Sequence, residues 1–231
     1  MRTRFLVIPL ALLLALPATA SPGLMQEEKK TLRDALEVLE SLTSVPNKGI
    51  PQELLAKADC ILIFPSVAKS TFLTGGKSGR GVASCRQPDG GMGAVAFYLV
   101  GGASTGFQIG GMSADLVMLI MNAQGVDHLL TDRFTIGGET AASTDPAATE
   151  AQTGAQVLSW SSSRGLFVGA VLDGSVVRAN QGANARLYGM EASGRQILVD
   201  SKLAVPPQAQ LFVDSMRKHM AAAVAQEKLE N

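Results

Sequence analysis

Glycine is confined to the middle of this chain. Of its 24 glycines, 22 fall between Gly75 and Gly194. Glycine weakens helices but permits bulges, tight bends and close backbone approach in sheets. The middle is therefore read as strands, and the glycine-poor ends as helices. Apolar runs of strand length bear this out: Cys60–Phe64, Gly81–Cys85, Ala94–Val100, Thr105–Ile109, Leu116–Met121, Phe134–Ile136, Val157–Trp160, Leu166–Leu172 and Ser175–Arg178. Several are apolar throughout, which implies burial on both faces. Most connections are too short for crossover helices, so antiparallel pairing is expected. The expected fold is α+β: a strongly curved antiparallel sheet or partial β-barrel with helices at the N- and C-terminal ends.

The N-terminal helix shows in Met25, Leu32, Leu36, Leu39 and Thr43, which share one helical face. Pro51–Lys57 reads as a short second helix with proline at its start, where the missing N–H does little harm. At the other end Leu211, Phe212, Met216, Met220, Ala223 and Val224 form a stripe after Pro206 and Pro207. The segment Glu139–Gln156, rich in Ala, Thr, Ser and Asp, reads as a loop excursion.

Residues 1–20 read as a signal peptide. Arg2 and Arg4 supply the charged start, Phe5–Leu16 the apolar core, and Ala18-Thr19-Ala20 the small-x-small cleavage pattern. An apolar run of this length is short for a bilayer span, which needs about 20 residues. The expected location is thus outside the cytoplasm, in the periplasm or beyond the cell. The whole chain carries 20 basic and 20 acidic side chains. Losing Arg2 and Arg4 leaves the mature chain with 18 basic groups against 20 acidic. That balance excludes a dedicated nucleic-acid binder, which needs a positive surplus to displace counterions. It also means that attraction to an anionic membrane must come from a local patch.

Cys60 and Cys85 lie in two separate strand-like segments. In an oxidising compartment they are candidates for a disulfide; two separately buried thiols remain the other reading. There is no C-x-x-C and no histidine nearby, so no metal site is expected. Met112, Met118 and Met121 read as core filler rather than as a copper site. No cofactor is expected.

Gly102-Ala103-Ser104-Thr105-Gly106 matches G-x-S-x-G, the nucleophile elbow of serine hydrolases. That chemistry needs a base and a group to orient it. Only His128 and His219 are available, with Asp115 or Asp127 as orienters. The motif should lead from strand into helix, yet Phe107-Gln108-Ile109 continues as strand. A bend between buried strands is the stronger reading, and a hydrolase centred on Ser104 a remote one. Gly75–Gly81 suggests a phosphate loop, but a P-loop ending in Lys77-Ser78 would need glycine at position 71, which is Thr71. A hairpin loop between Phe72-Leu73 and Val82-Ala83 is the simpler account. Lys69, Lys77 and Arg80 could form a basic rim there for a lipid headgroup.

From Ile61 to Gly189 the chain resembles the SYLF domain, a lipid-binding module of bacteria and of eukaryotic membrane-trafficking proteins. The resemblance rests on FPSVAKSTFLTGGKSGRGV, AFYLVGGASTGFQIGG, DLVMLIMN and SRGLFVGAVLDGSVV. With flanking helices over 24–57 and 207–228, it implies one domain over residues 21–231. Residues 138–156 depart from the glycine-proline-containing segment of many relatives. The resemblance implies a non-enzymatic domain that binds phospholipid at a membrane surface, phosphoinositides in eukaryotic members. It further implies a lipid-binding role for the N-terminal helix, with Lys29, Lys30 and Arg33 as headgroup contacts. Some eukaryotic members bind actin, an unlikely partner for a chain with a bacterial-type export signal. The expectation is an exported phospholipid-binding protein of the cell envelope. A structural or protein-interaction module with a filled barrel is the alternative.

Overall fold

The computed structural model describes residues 22–43, 49–69, 76–103, 113–131, 133–136, 156–162, 167–170, 172, 174–200 and 203–230. The expected signal peptide, Ser104, the expected strand over Thr105–Ile109 and residues 138–155 of the divergent loop fall outside them, as does the Lys69 side chain.

Among the described residues, eight strands form one sheet: β1 (Cys60–Lys69), β2 (Gly76–Arg86), β3 (Met92–Ala103), β4 (Ser113–Ile120), β5 (Arg133–Thr135), β6 (Val157–Ser162), β7 (Val168–Gly169) and β8 (Ser175–Ala179). Their spatial order is β5-β8-β3-β2-β1-β4-β6-β7, every neighbouring pair is antiparallel, and the sheet curls into a half-barrel. β1, β2 and β3 are longer than their apolar runs suggest. Gly76–Gly81 belongs to strand β2 rather than to a hairpin loop.

Among the described residues, six helices accompany the sheet: α1 (Pro22–Thr43), α2 (Gln52–Lys57), α3 (Ala123–Leu129), α4 (Gln181–Tyr188), α5 (Gly194–Leu198) and α6 (Pro207–Glu230). Strand alternation splits the core into two clusters. One face of the sheet, with Ile61, Ile63, Val82, Phe97 and Leu119, packs against α1, α2, α4 and α6. The other, with Leu62, Phe64, Ala96, Tyr98 and Met118, packs against Leu129 of α3 and Ile197 and Leu198 of α5. The buried face of α1 is centred on Leu32, Ala35, Leu39 and Leu42, while Leu36 is half-buried. On α6, Phe212, Val213, Met216, Met220 and Ala223 are buried, but Leu211 is 70% exposed, one position off the stripe.

Polar side chains join the layers. Asn184 on α4 is fully buried; its Oδ1 accepts from Phe97 N at 2.6 Å and its Nδ2 donates to Phe97 O at 3.3 Å. This completes β3 just beyond β8 and leaves no polar atom of the amide buried unpaired. Arg86 donates from Nη2 to Ala56 O at 2.9 Å and from Nε to Ala58 O at 3.2 Å, capping α2 from the sheet. Cys60 and Cys85 stand directly opposite on β1 and β2, 4.0 Å apart at Cα, and their sulfurs are bonded as a disulfide.

Gly81 is where the sheet needs glycine most. A Cβ there would lie 2.3 Å from Ile63 O and 2.5 Å from the Phe64 ring. Backbone on one side and a fully buried ring on the other leave little room to yield. Gly81→Ala is expected to destabilise the fold by about 2 kcal/mol, within the range for overpacking. Urea unfolding at unchanged m-value measures it; a loss below about 0.5 kcal/mol would show that the two strands part freely.

Candidate functional site

The curl of the sheet and the N-terminal half of α1 enclose a cleft of about 890 Å³. Its basic residues are Lys30 from α1, Arg80 from β2, Arg133 from β5 and Arg178 from β8. Its acidic residues are Glu27 and Asp34, both from α1. Among the described lining residues, four cations stand against two carboxylates, a surplus of two positive charges in a chain otherwise near neutrality.

Strand register explains how the arginines meet. Arg80 pairs with Leu99, Leu99 with Arg178, and Arg178 with Arg133. These four residues form one lateral row across β2, β3, β8 and β5. Neighbouring strands are about 4.8 Å apart, so Arg80 and Arg178 stand about two strand spacings apart, with Leu99 between them. Val82 and Phe97, two residues along their strands, belong to the core under α1, so the row continues that face beyond the helix-covered part. Arg133 and Arg178 are exposed, whereas Phe134 and Val177 beside them are buried on the other face.

The acidic residues of α1 reach part of this row. Arg80 Nη1 lies 3.1 Å from Glu27 Oε1. Lys30 Nζ pairs with Asp34, and Arg33 Nη2 lies 3.6 Å from the same carboxylate. Among the described residues, neither Arg133 nor Arg178 has a carboxylate partner. Helix α1 is itself held by Glu28, whose Oε1 accepts from Arg186 Nε at 3.0 Å and Nη2 at 2.7 Å. The far wall is a β-bulge in β1. There Ser66 has a positive φ of 50° and donates its N–H to Asp115 Oδ1 at 2.9 Å. Asp115 thus fixes a strained turn, and Asp127 pairs with Arg195 at 3.1 Å.

The structure redistributes the headgroup candidates. Lys30 and Arg80, assigned to two separate groups from sequence, share one cleft. Lys29 and Arg33 are exposed on α1 but do not line it. Lys77 is 3% exposed. Three residues along a regular strand from Arg80, it points to the opposite face, so Lys77 and Arg80 do not share the expected rim. Arg133 and Arg178 escaped the sequence reading. The only signal was an arginine beside a buried apolar residue in each strand, and nothing local tells that β5 and β8 are neighbours.

The G-x-S-x-G segment begins at the end of β3. Gly102 has φ 129°, and a Cβ there would lie 2.7 Å from Gly174 O on the approach to β8. Close strand approach accounts for this glycine without a nucleophile elbow. His128 lies on α3. His219 lies on α6, where burial and then Lys218 lower its pKa while Glu40 opposes them.

Comparison with known proteins adds the family. Residues 101–219 match the family described as Ysc84, Las17-binding protein actin regulator. Protein YSC84 of Saccharomyces cerevisiae is 31% identical over 196 residues, covering 78% of this chain and 41% of that protein. SH3 domain-containing YSC84-like protein 1 of Homo sapiens is 29% identical over 186 residues, covering 77% of this chain and 54% of that protein. SH3 domain-containing protein PJ696.02 of Schizosaccharomyces pombe is 30% identical over 169 residues, covering 69% of this chain and 39% of that protein. The chain thus spans about half or less of these relatives. The family is described as a regulator and not as an enzyme, and the expectation that sets actin aside finds no support in that description. The matched segment carries Arg133 and Arg178, and with more than half of the sequence aligned the chain belongs to the Ysc84 family, whose module is the SYLF domain.

Proposed function

We propose that this chain is an exported, non-enzymatic module that binds anionic phospholipid through the cleft between α1 and the sheet. Residues 1–20 would be removed on export, leaving residues 21–231 as one SYLF domain in the periplasm or outside the cell. The observation that carries the reading is the surplus of positive charge gathered by Lys30, Arg80, Arg133 and Arg178 in a single concavity. A cleft with a surplus of one sign of charge focuses its field and concentrates ligands of the opposite sign. Among the described residues, no helix is long and apolar enough to cross a membrane. A second reading, a protein-interaction module, draws on the family description, which names Las17 binding and actin regulation.

The test is co-sedimentation of the mature protein with phosphatidylcholine vesicles, with and without phosphatidylglycerol. Each basic group near an anionic surface contributes about 1 kcal/mol. Reversing Arg80, Arg133 and Arg178 to glutamate should therefore weaken binding by at least about a hundredfold, since about 1.4 kcal/mol is a factor of ten. The attraction should fall at high salt, where exposed charges are screened beyond about 8–10 Å. Lys29→Glu with Arg33→Glu, outside the cleft, should change it far less. Equal effects from the two variants would mean that binding follows overall charge rather than the cleft. No vesicle binding by the wild type would leave the protein-interaction reading.

A further inference from the structure

Two guanidinium-bearing residues directly opposite each other on neighbouring strands are an unfavourable arrangement. Their Cα atoms lie about 4.5–5.5 Å apart in an antiparallel pair, and like charges so placed destabilise a sheet. Arg133 and Arg178 are such a pair. Other basic groups of the cleft have their repulsion offset: Arg80 by Glu27, and Lys30 by Asp34. No described carboxylate does this for Arg133 or Arg178. Among the described residues, the local surplus of two positive charges thus falls at one end of the cleft, on residues that the sheet backbone holds side by side.

From this we infer that Arg133 and Arg178 form a subsite for a phosphate monoester, and that the cleft selects ligands ending in one over phosphodiesters. The inference rests on the reading of the cleft as an anionic-lipid site and adds the ligand class. A monoester carries a charge of about −1.5 to −2 near neutral pH and three strong acceptor oxygens. Arginine presents a planar fork of donors suited to phosphate. Two forks from adjacent strands can each take a pair of oxygens of one monoester, and its charge matches the surplus. A phosphodiester brings one charge and two free oxygens, so one of the two arginines stays uncompensated. Arg80, beyond Leu99 and already paired with Glu27, is left to the rest of the ligand.

The experiment measures binding of the mature protein to phosphatidylcholine vesicles doped equally with phosphatidic acid or phosphatidylglycerol. Thermal shift with glycerol 3-phosphate and with dimethyl phosphate runs beside it. The expected result is at least about a tenfold preference for phosphatidic acid, which corresponds to about 1.4 kcal/mol. Arg178→Gln and Arg133→Gln should each reduce it to near parity. Arg178→Lys, which keeps the charge but loses the fork, should retain only part of it. Equal binding of both lipids by the wild type overturns the inference and leaves the lipid reading standing. A preference that survives both glutamine variants also overturns it. If no vesicle binds, but glycerol 3-phosphate raises the melting temperature of the wild type and not of Arg178→Gln, the subsite holds for a free phosphate and the membrane reading falls. Silence in every arm overturns both.

Discussion

Arg186→Met is expected to lower stability by about 3 kcal/mol and to loosen the wall of the cleft. Glu28 is 5% exposed and sits on α1, while Arg186 is on α4, 158 residues away in sequence. Both contacts from Arg186 fall on Glu28 Oε1, and Oε2 has no hydrogen-bond partner. The carboxylate therefore depends on this one guanidinium. Breaking a buried pair from one side typically costs about 3–5 kcal/mol, because a charge is left without compensation. About a quarter of the Arg186 side chain remains exposed, which puts the loss at the lower end. Replacing both partners is the informative comparison. Glu28→Leu with Arg186→Met removes the desolvated charge as well as the pair, and should cost far less than Arg186→Met alone. Urea unfolding of the four proteins of this cycle gives the coupling directly. If Arg186→Met cost under about 1 kcal/mol, water would reach Glu28 and the pair would not anchor α1. Limited proteolysis within α1 supplies the second readout, since a loosened helix is cut sooner.

The two-layer plan was legible because the forces that make it are local in sequence. Glycine marks the curled sheet, and helical spacing marks α1 and α6. The face of α1 was placed slightly off, because Ala35, Val38 and Leu42 share it with Leu32 and Leu39 and widen the stripe. Helices α3, α4 and α5 left weaker traces. Their apolar content is slight, but their caps were readable: Asn122 and Asn180 accept from Gly125 N and Ala183 N, and Ser193 with Gln196 forms a capping box. The cleft was only half legible. Lys77 and Arg80 look like one basic group until strand alternation is applied, and they then fall on opposite faces. Arg133 and Arg178 are 45 residues apart in sequence, and only the β5–β8 register opposes them. Sequence pattern gives the faces of elements; which faces converge depends on strand order, and this order is far from sequential.

Loss of the Cys60–Cys85 bond is the other large effect expected. The two residues are separated by 25 positions, and the bond closes the β1–β2 connection at the end opposite Lys69 and Gly76. Cross-linking a loop of this length removes denatured-state entropy equivalent to about 3 kcal/mol. Both sulfurs lie among Leu62, Ala83 and Met118, so the bonded form adds no polar group to the core. Cys60→Ala with Cys85→Ala should therefore shift the urea midpoint down by about 3 kcal/mol divided by the m-value. The reduced wild type should shift nearly as far, which separates the cross-link from the small cavity that alanine leaves. The bond also bears on location, because such cross-links persist in oxidising compartments and are rare in a reducing cytosol. Protein secreted through its own N-terminal segment should show no titratable thiol in denaturant. The same chain lacking residues 1–20 and made in a reducing cytosol should show two and melt lower. Two free thiols in the secreted form would remove the cross-link from the account of stability, and with it one of the physical reasons for reading the chain as exported.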